Sequence, residues 1–229
     1  MSHLPKGFVY LEDVDSTILQ DIRYATHYNF IGRPLIGYSK PRCVVSEKLA
    51  FCLKDAQKIA LKDNYILKVY DGYRPLRAVE DIVFWSGNPS DTLMKLEFYA
   101  HLAKNTLFKE GYIGVRSFHT RGAAVDVTLV PNPPPHQRDF ILGEELYDGT
   151  LPKERRFPDN TIDMGTSFDC FHHFSHTNSL KISKQAQENR KRLCNIMHGS
   201  GFVNYELEWW HFNLKEEPFP ETYFDFEIL

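Results

Sequence analysis

The stretch Ala123-Ala124-Val125-Asp126-Val127-Thr128-Leu129-Val130 decides how the rest of the chain is read. Its alternation puts Ala124, Asp126 and Thr128 on one face and Val125, Val127 and Leu129 on the other, the period-two pattern of a strand with one apolar side. The Asp126 carboxylate therefore projects from the face opposite the apolar row. Upstream, in Ser117-Phe118-His119-Thr120-Arg121-Gly122, stands His119, and Gly122 permits a tight backbone path. A histidine and an aspartate this far apart are common by chance. A second fragment, Glu208-Trp209-Trp210-His211, supplies another imidazole and a spare carboxylate. Two neutral imidazoles and one carboxylate leave a tetrahedral zinc ion an open position for water. A neighbouring glutamate can then handle that water's proton. The set reads as a hydrolytic zinc site.

Outward from this strand, Phe8-Val9-Tyr10-Leu11 is strand-like. Ser46 to Lys62 reads as a helix with Ser46 as N-cap and Leu49, Leu53, Ala56 and Ile59 or Ala60 on one face. Tyr65 to Tyr70 reads as a buried strand ending in the turn Asp71-Gly72-Tyr73-Arg74-Pro75. Further helices are expected from Leu76 to about Trp85, from about Asp91 to Lys109 with Ser90 as cap, and from Ser183 to His198. Residues from about Asn132 to His176 are rich in Pro, Gly, Asp and aromatics. Irregular structure is expected there, with a lid over the site as one role. Phe202 to Leu214 is strand-like. Helices and strands do not alternate regularly, so the fold class is α+β with a largely antiparallel sheet flanked by helices.

The 229 residues suit one large domain or two small ones, and no repeat, low-complexity tract or long linker divides them. The chain is read as one domain, 1–229. At 42% hydrophobic and 14% aromatic it can bury a proper core. A net charge of -3 with scattered Lys and Arg argues against a nucleic-acid partner. No segment reaches the roughly 20 apolar residues that span a bilayer, so no membrane partner is expected. Met1 to Lys6 lacks the apolar core of a signal peptide. A cytoplasmic location is expected, or a periplasmic one if the chain is a mature form. Cys43, Cys52, Cys170 and Cys194 form no Cys-x-x-Cys pair and are expected to be free thiols, with a disulfide as the alternative for a mature secreted form. A homo-oligomer is compatible with the sequence.

On a regular strand Glu208 and His211, three apart, would face opposite sides, so one shared site needs a bend or bulge there. Arg74, at the end of a buried strand, is placed to stabilise a developing oxyanion; the plainer alternative is a surface arginine paired with an acid. A rival metal set, Cys170, His172, His173, His176, Cys194 and His198, has no strict finger or ribbon spacing.

These residues together resemble the D-alanyl-D-alanine dipeptidases of the VanX type, within the wider D-Ala-D-Ala metallopeptidases. The resemblance lies in Asp71-Gly72-Tyr73-Arg74-Pro75, in Ser117-x-His119-x-x-Gly122-x-Ala124-x-Asp126, and in Met164-Gly165-x-x-Phe168-Asp169. It continues in Glu208-Trp209-Trp210-His211, in Tyr223-Phe224-Asp225-Phe226 and in Arg23-Tyr24-Ala25-Thr26. It implies a hedgehog/DD-peptidase-like fold and one Zn2+ per chain on His119, Asp126 and His211. It also implies Glu208 as general base and Arg74 as transition-state stabiliser. Asp169 would hold the ammonium of a small dipeptide substrate, with Tyr24 and Ser117 lining the pocket. The expected reaction is hydrolysis of D-Ala-D-Ala to two D-alanines, part of cell-wall peptidoglycan chemistry. The alternatives are a D,D-carboxypeptidase and a non-catalytic hedgehog-like zinc module, against which Glu208 and Arg74 speak. The loop from Pro131 to Asp163 is longer than the resemblance leads one to expect.

Overall fold

The structure, a computed structural model, describes residues 4–229; Met1, Ser2 and His3 of the N-terminal segment lie outside them. In chain order the elements are β1 (Phe8–Tyr10), α1 (Leu11–Val14), β2 (Leu19–Gln20), β3 (Val44–Ser46), α2 (Glu47–Lys62) and β4 (Tyr65–Asp71). There follow α3 (Leu76–Ser86), α4 (Lys95–Phe98), β5 (Ala124–Pro131), α5 (Lys184–Gly199), β6 (Phe202–Asn204) and β7 (His211–Leu214). The main sheet has five strands in the order β2-β4-β5-β7-β6. Only the β2–β4 pair is parallel. The expected α+β class and largely antiparallel sheet are what the structure has.

The alternating stretch is the middle strand, β5. Val125, Val127 and Leu129 are fully buried, with Val127 opposite Val69 and Leu129 opposite Leu67 on β4. This apolar face packs with Leu49, Leu53, Ala56 and Ala60 of α2 and Leu193, Ile196 and Met197 of α5. α2 starts as expected, the Ser46 hydroxyl accepting from the Leu49 amide at 3.4 Å. α5 is capped likewise by Ser183, which accepts from the Ala186 amide at 3.1 Å.

The opposite face is polar and buried. Here Lys68 lies opposite Thr128, and Asp71, Asp126 and His211 lie side by side across β4, β5 and β7. A register shift between Val69 and Asp71 brings Asp71 level with Asp126. The irregular segment after β5 covers part of this face: Asp159 accepts from Lys68 at 2.6 Å, and the Ile162 amide donates to Leu129 at 3.0 Å.

Two expectations are corrected. The helix expected over Asp91–Lys109 is reduced to the single turn α4 and a 3-10 turn at Lys104–Thr106. The Glu97 carbonyl accepts from Gly149 and the Phe98 carbonyl from Phe171, so tertiary bonds replace the helical ladder. Ser90 bonds Asn88 instead of capping. The Phe202–Leu214 strand is a hairpin, β6 and β7 joined by a turn over residues 205–210. The strand-like Phe8–Leu11 is a strand over Phe8–Tyr10, paired with β3 outside the main sheet, and Leu11 opens α1.

All four cysteines are free. No helix among the described residues is long and apolar enough to cross a membrane.

Candidate active site

The Asp71–Asp126–His211 row is joined by His119 from the 3-10 turn His119–Arg121, just before β5. That turn ends at Gly122 with φ +63, and a Cβ there would meet the Phe8 ring at 2.5 Å. His119 Nδ1 donates to the Gly72 carbonyl at 2.7 Å, which leaves the Nε2 lone pair facing inward. That contact needs a bare backbone at Gly72, where a Cβ would lie 2.6 Å from the Val44 carbonyl. His211 Nε2 donates to Asn213 Oδ1 at 2.9 Å, leaving its Nδ1 lone pair inward as well.

The two lone pairs meet a carboxylate oxygen. His119 Nε2 is 3.2 Å from His211 Nδ1 and 3.4 Å from Asp126 Oδ1, and His211 Nδ1 is 3.2 Å from the same oxygen. Asp126 Oδ1 is buried without a hydrogen-bond partner among the described residues. With each imidazole's other nitrogen donating elsewhere, three acceptors are left crowded at one point, an arrangement that can hold a cation. A tetrahedral ion with bonds of about 2.0–2.1 Å sets its ligands about 3.3–3.4 Å apart, so the spacing fits. This is the one group among the described residues with metal-holding geometry. The rival Cys170–His198 set does not converge. The His172 and His173 rings lie against each other, tilted, with centroids 4.0 Å apart, while Cys194 and His198 ride on α5.

The turn over residues 205–210 resolves the difficulty with Glu208. Its amide donates to Tyr205, its carbonyl accepts from Asn204 and His211, and the backbone reverses instead of running straight. Trp209 and Trp210 anchor the turn in the core, the Trp209 indole donating to Thr166 at 2.9 Å. Glu208 Oε2 thus comes 3.6 Å from His211 Nδ1. Burial pushes the Glu208 carboxyl up to about 7, His211 opposing and Asp126 reinforcing the shift. Burial acts on Asp126 in the same sense, but His119 and His211 outweigh it and hold this carboxyl below the usual range.

Arg74 is not the surface arginine of the plainer reading. Its Nε donates to Asp71 Oδ2 at 3.0 Å, Nη2 lies 3.6 Å from Asp126, and its guanidinium covers the Tyr24 ring at 4.6 Å. Tyr24 donates to Asp169 Oδ2 at 2.8 Å. Asp169 adopts φ +57 and has no cationic partner among the described residues. Burial, helped by nearby Asp126, pushes its carboxyl well up. His119, Asp126, His211, Glu208, Arg74, Asp169, Tyr24 and Ser117 all line one cavity of about 310 Å³.

The cavity's outer wall departs from expectation. Of residues 132–176 only Asp169 and Phe171 line it; the cover comes from Gly111 to Phe118, held at one end by Tyr205 donating to the Gly111 carbonyl at 3.3 Å. Sequence reasoning also missed Asp71 as the carboxylate behind both Arg74 and His119, and Tyr38, which donates to it at 2.7 Å. Missed too was the C-terminal strap. The Phe224 amide donates to Thr120 and its carbonyl accepts from Leu76, so one residue ties the His119 turn to the Arg74 loop. Arg77 binds Asp225, Arg121 binds Glu217 and Tyr223, and Phe226 stacks on Tyr73 at 4.0 Å. The only sequence signal was the aromatic Tyr223–Phe226 motif.

Imidazoles and a carboxylate converging at a cavity floor, beside a buried glutamate and an arginine, place the chain among metal-dependent peptidases as a class. A family model described as D-ala-D-ala dipeptidase matches residues 5–133 and 148–228, and the chain belongs to that family. The segment between the matches falls within the loop that reads as long. A relative from Enterococcus faecium, a D-alanyl-D-alanine dipeptidase, is 36% identical over 97% of this chain and 98% of its own. A Streptomyces coelicolor protein of the same name is 36% identical over 96% of this chain and 98% of its own. An Escherichia coli protein of that name is 28% identical over 86% and 78%.

Proposed function

We propose that the protein is a zinc dipeptidase that hydrolyses D-Ala-D-Ala to two D-alanines. The observation that carries this reading is the meeting of two inward imidazole lone pairs with the unpartnered Asp126 oxygen, with Glu208 Oε2 3.6 Å from His211 Nδ1, in a chain whose relatives bear that activity in their names. His119, Asp126 and His211 would hold the ion; two imidazoles and one carboxylate suit four-coordinate zinc with one position left open. Such an ion supplies Lewis acidity toward a carbonyl oxygen and acidifies water.

The remaining steps belong to the chain's own groups. The Glu208 carboxylate accepts the proton of the attacking water and returns it to the departing amine. The Arg74 guanidinium, steadied by Asp71, donates to the oxygen on which negative charge develops. Asp169, a buried carboxyl lacking a cation, receives the substrate ammonium, and the Tyr24 hydroxyl orients it. Ser117 lines the same pocket. The D configuration of the substrate is taken from the relatives' names.

The test is a panel of dipeptides varied in chirality and end-capping, assayed with and without a chelator. D-Ala-D-Ala should be cleaved, chelation should stop the reaction and zinc restore it. Acetylation leaves Asp169 buried without its partner, a cost of about 1–3 kcal/mol or more, and should abolish cleavage. Efficient cleavage of acetylated, longer peptides would make the protein a carboxypeptidase instead.

A further inference from the structure

A free dipeptide carries a charge at each end, and the reading above provides a partner for only one of them. Besides its two metal-facing imidazoles, the cavity is lined by three carboxylates, Asp126, Asp169 and Glu208, and by two guanidiniums, Arg74 and Arg116. Arg74 is already engaged with Asp71, Asp126 and the face of Tyr24. Arg116 is not. It is exposed, its guanidinium lies 5.6 Å from the Tyr223 ring, and it has no carboxylate partner among the described residues. Its neighbour Ser117 accepts the His119 amide at 3.2 Å, which leaves the serine O–H free to donate. These two residues belong to the Gly111–Phe118 wall, a chain segment separate from those that supply Tyr24 and Asp169.

Resting on the dipeptidase reading, we propose that Arg116, with the Ser117 hydroxyl, receives the C-terminal carboxylate of the substrate. A guanidinium presents parallel N–H donors that match both oxygens of a carboxylate, and a charge at the cavity mouth draws in an anionic end. The ammonium site on Asp169 excludes acylated peptides. The Arg116 site disfavours amidated or ester-capped ones, so together they set the substrate at a dipeptide with both ends free.

The experiment compares wild type, R116A and R116K on D-Ala-D-Ala and on its C-terminal amide. For R116A, KM for the free dipeptide should rise about 10- to 100-fold while kcat stays within about twofold. On the amide, R116A and wild type should agree within about twofold in kcat/KM, because the charge that Arg116 reads is absent. R116K, which keeps the charge and loses the fork, should fall between them on the free dipeptide. Calorimetric binding of D-Ala-D-Ala to E208Q and to E208Q/R116A should show the same loss of affinity without turnover. An unchanged KM in R116A, or equal losses on both substrates, overturns the carboxylate assignment alone. Wild type inactive on the free dipeptide overturns the dipeptidase reading and this assignment with it.

Discussion

Two clusters of buried charge share the polar face of the sheet, and they are built to opposite ends. Around Asp159, Lys68 donates at 2.6 Å, Arg23 at 2.8 Å and Tyr70 at 2.7 Å, so both carboxylate oxygens are filled. Burial pushes this carboxyl up, but Lys68 and Arg23 outweigh it and hold it well below the usual range. Around Asp126 the balance is left open. Its Oδ1 has no donor, and burial drives Glu208 and Asp169 upward with no cation to compensate fully. A closed set of charges holds chain segments together, whereas an open set beside a cavity is arranged for something that arrives from outside.

The sharpest way to break this contrast is at the open cluster. Glu208→Gln should lower kcat by about 10²–10⁴-fold while the metal content of the purified protein is unchanged. Near-normal turnover would remove Glu208 from the chemistry. Arg74→Lys should cost about 10²–10³-fold in kcat, read from steady-state kinetics, because a point charge cannot hold Asp71 and an oxyanion together.

The closed cluster should respond in stability instead. Asp159→Asn leaves Lys68 and Arg23 short of a counter-charge and should cost about 3–5 kcal/mol in urea unfolding, with metal binding retained by the folded fraction. The sign with pH follows from the depressed carboxyl. Its contribution is present above the unfolded-state value of about 4 and is lost as pH falls, so the variant should show a shallower acid limb.

Glu97 offers the opposite sign. Burial raises its carboxyl to about 7, and the Tyr28 hydroxyl, its hydrogen-bond partner, only partly counters that. Stability from this group is full below about 4.5 and falls by about 3 kcal/mol as pH rises through 7. Glu97→Gln should flatten that decline in unfolding curves taken from pH 5 to 8; a slope identical to wild type would locate the titrating group elsewhere. The smallest effect is expected at the strap, where Tyr223→Phe removes an acceptor of Arg121 and should lower the stability read from urea unfolding by about 1 kcal/mol.

How far the molecule could be read in advance differs from element to element. β5 was legible because seven of its eight residues are buried and its apolar row alternates without a break. α2 was legible from a serine cap and an apolar stripe. The false helix over Asp91–Lys109 had good local propensity, but the Glu97 and Phe98 carbonyls are taken by Gly149 and Phe171, and no local pattern records a bond made fifty or more residues away. The lid was misplaced for the same reason. Proline and glycine content marks a segment as irregular but not which surface it covers.

The eight candidate site residues were readable as residue types, helped by the family resemblance, and all of them line one cavity. Their supporting partners were not readable. Asp71 gains its place from a register shift beside Asp126, and Phe224 from a strap that crosses from the far end of the chain.

Sequence alone determined the donor chemistry and the central strand, because side-chain type and period-two burial are local properties. Tertiary structure alone decided that His119, Asp126 and His211 face one point. It also decided that the 205–210 turn brings Glu208 to them and that Arg116 stands at the mouth without a partner. Those facts depend on strand register and loop packing between residues distant along the chain, and such contacts leave no periodic trace in the order of the amino acids.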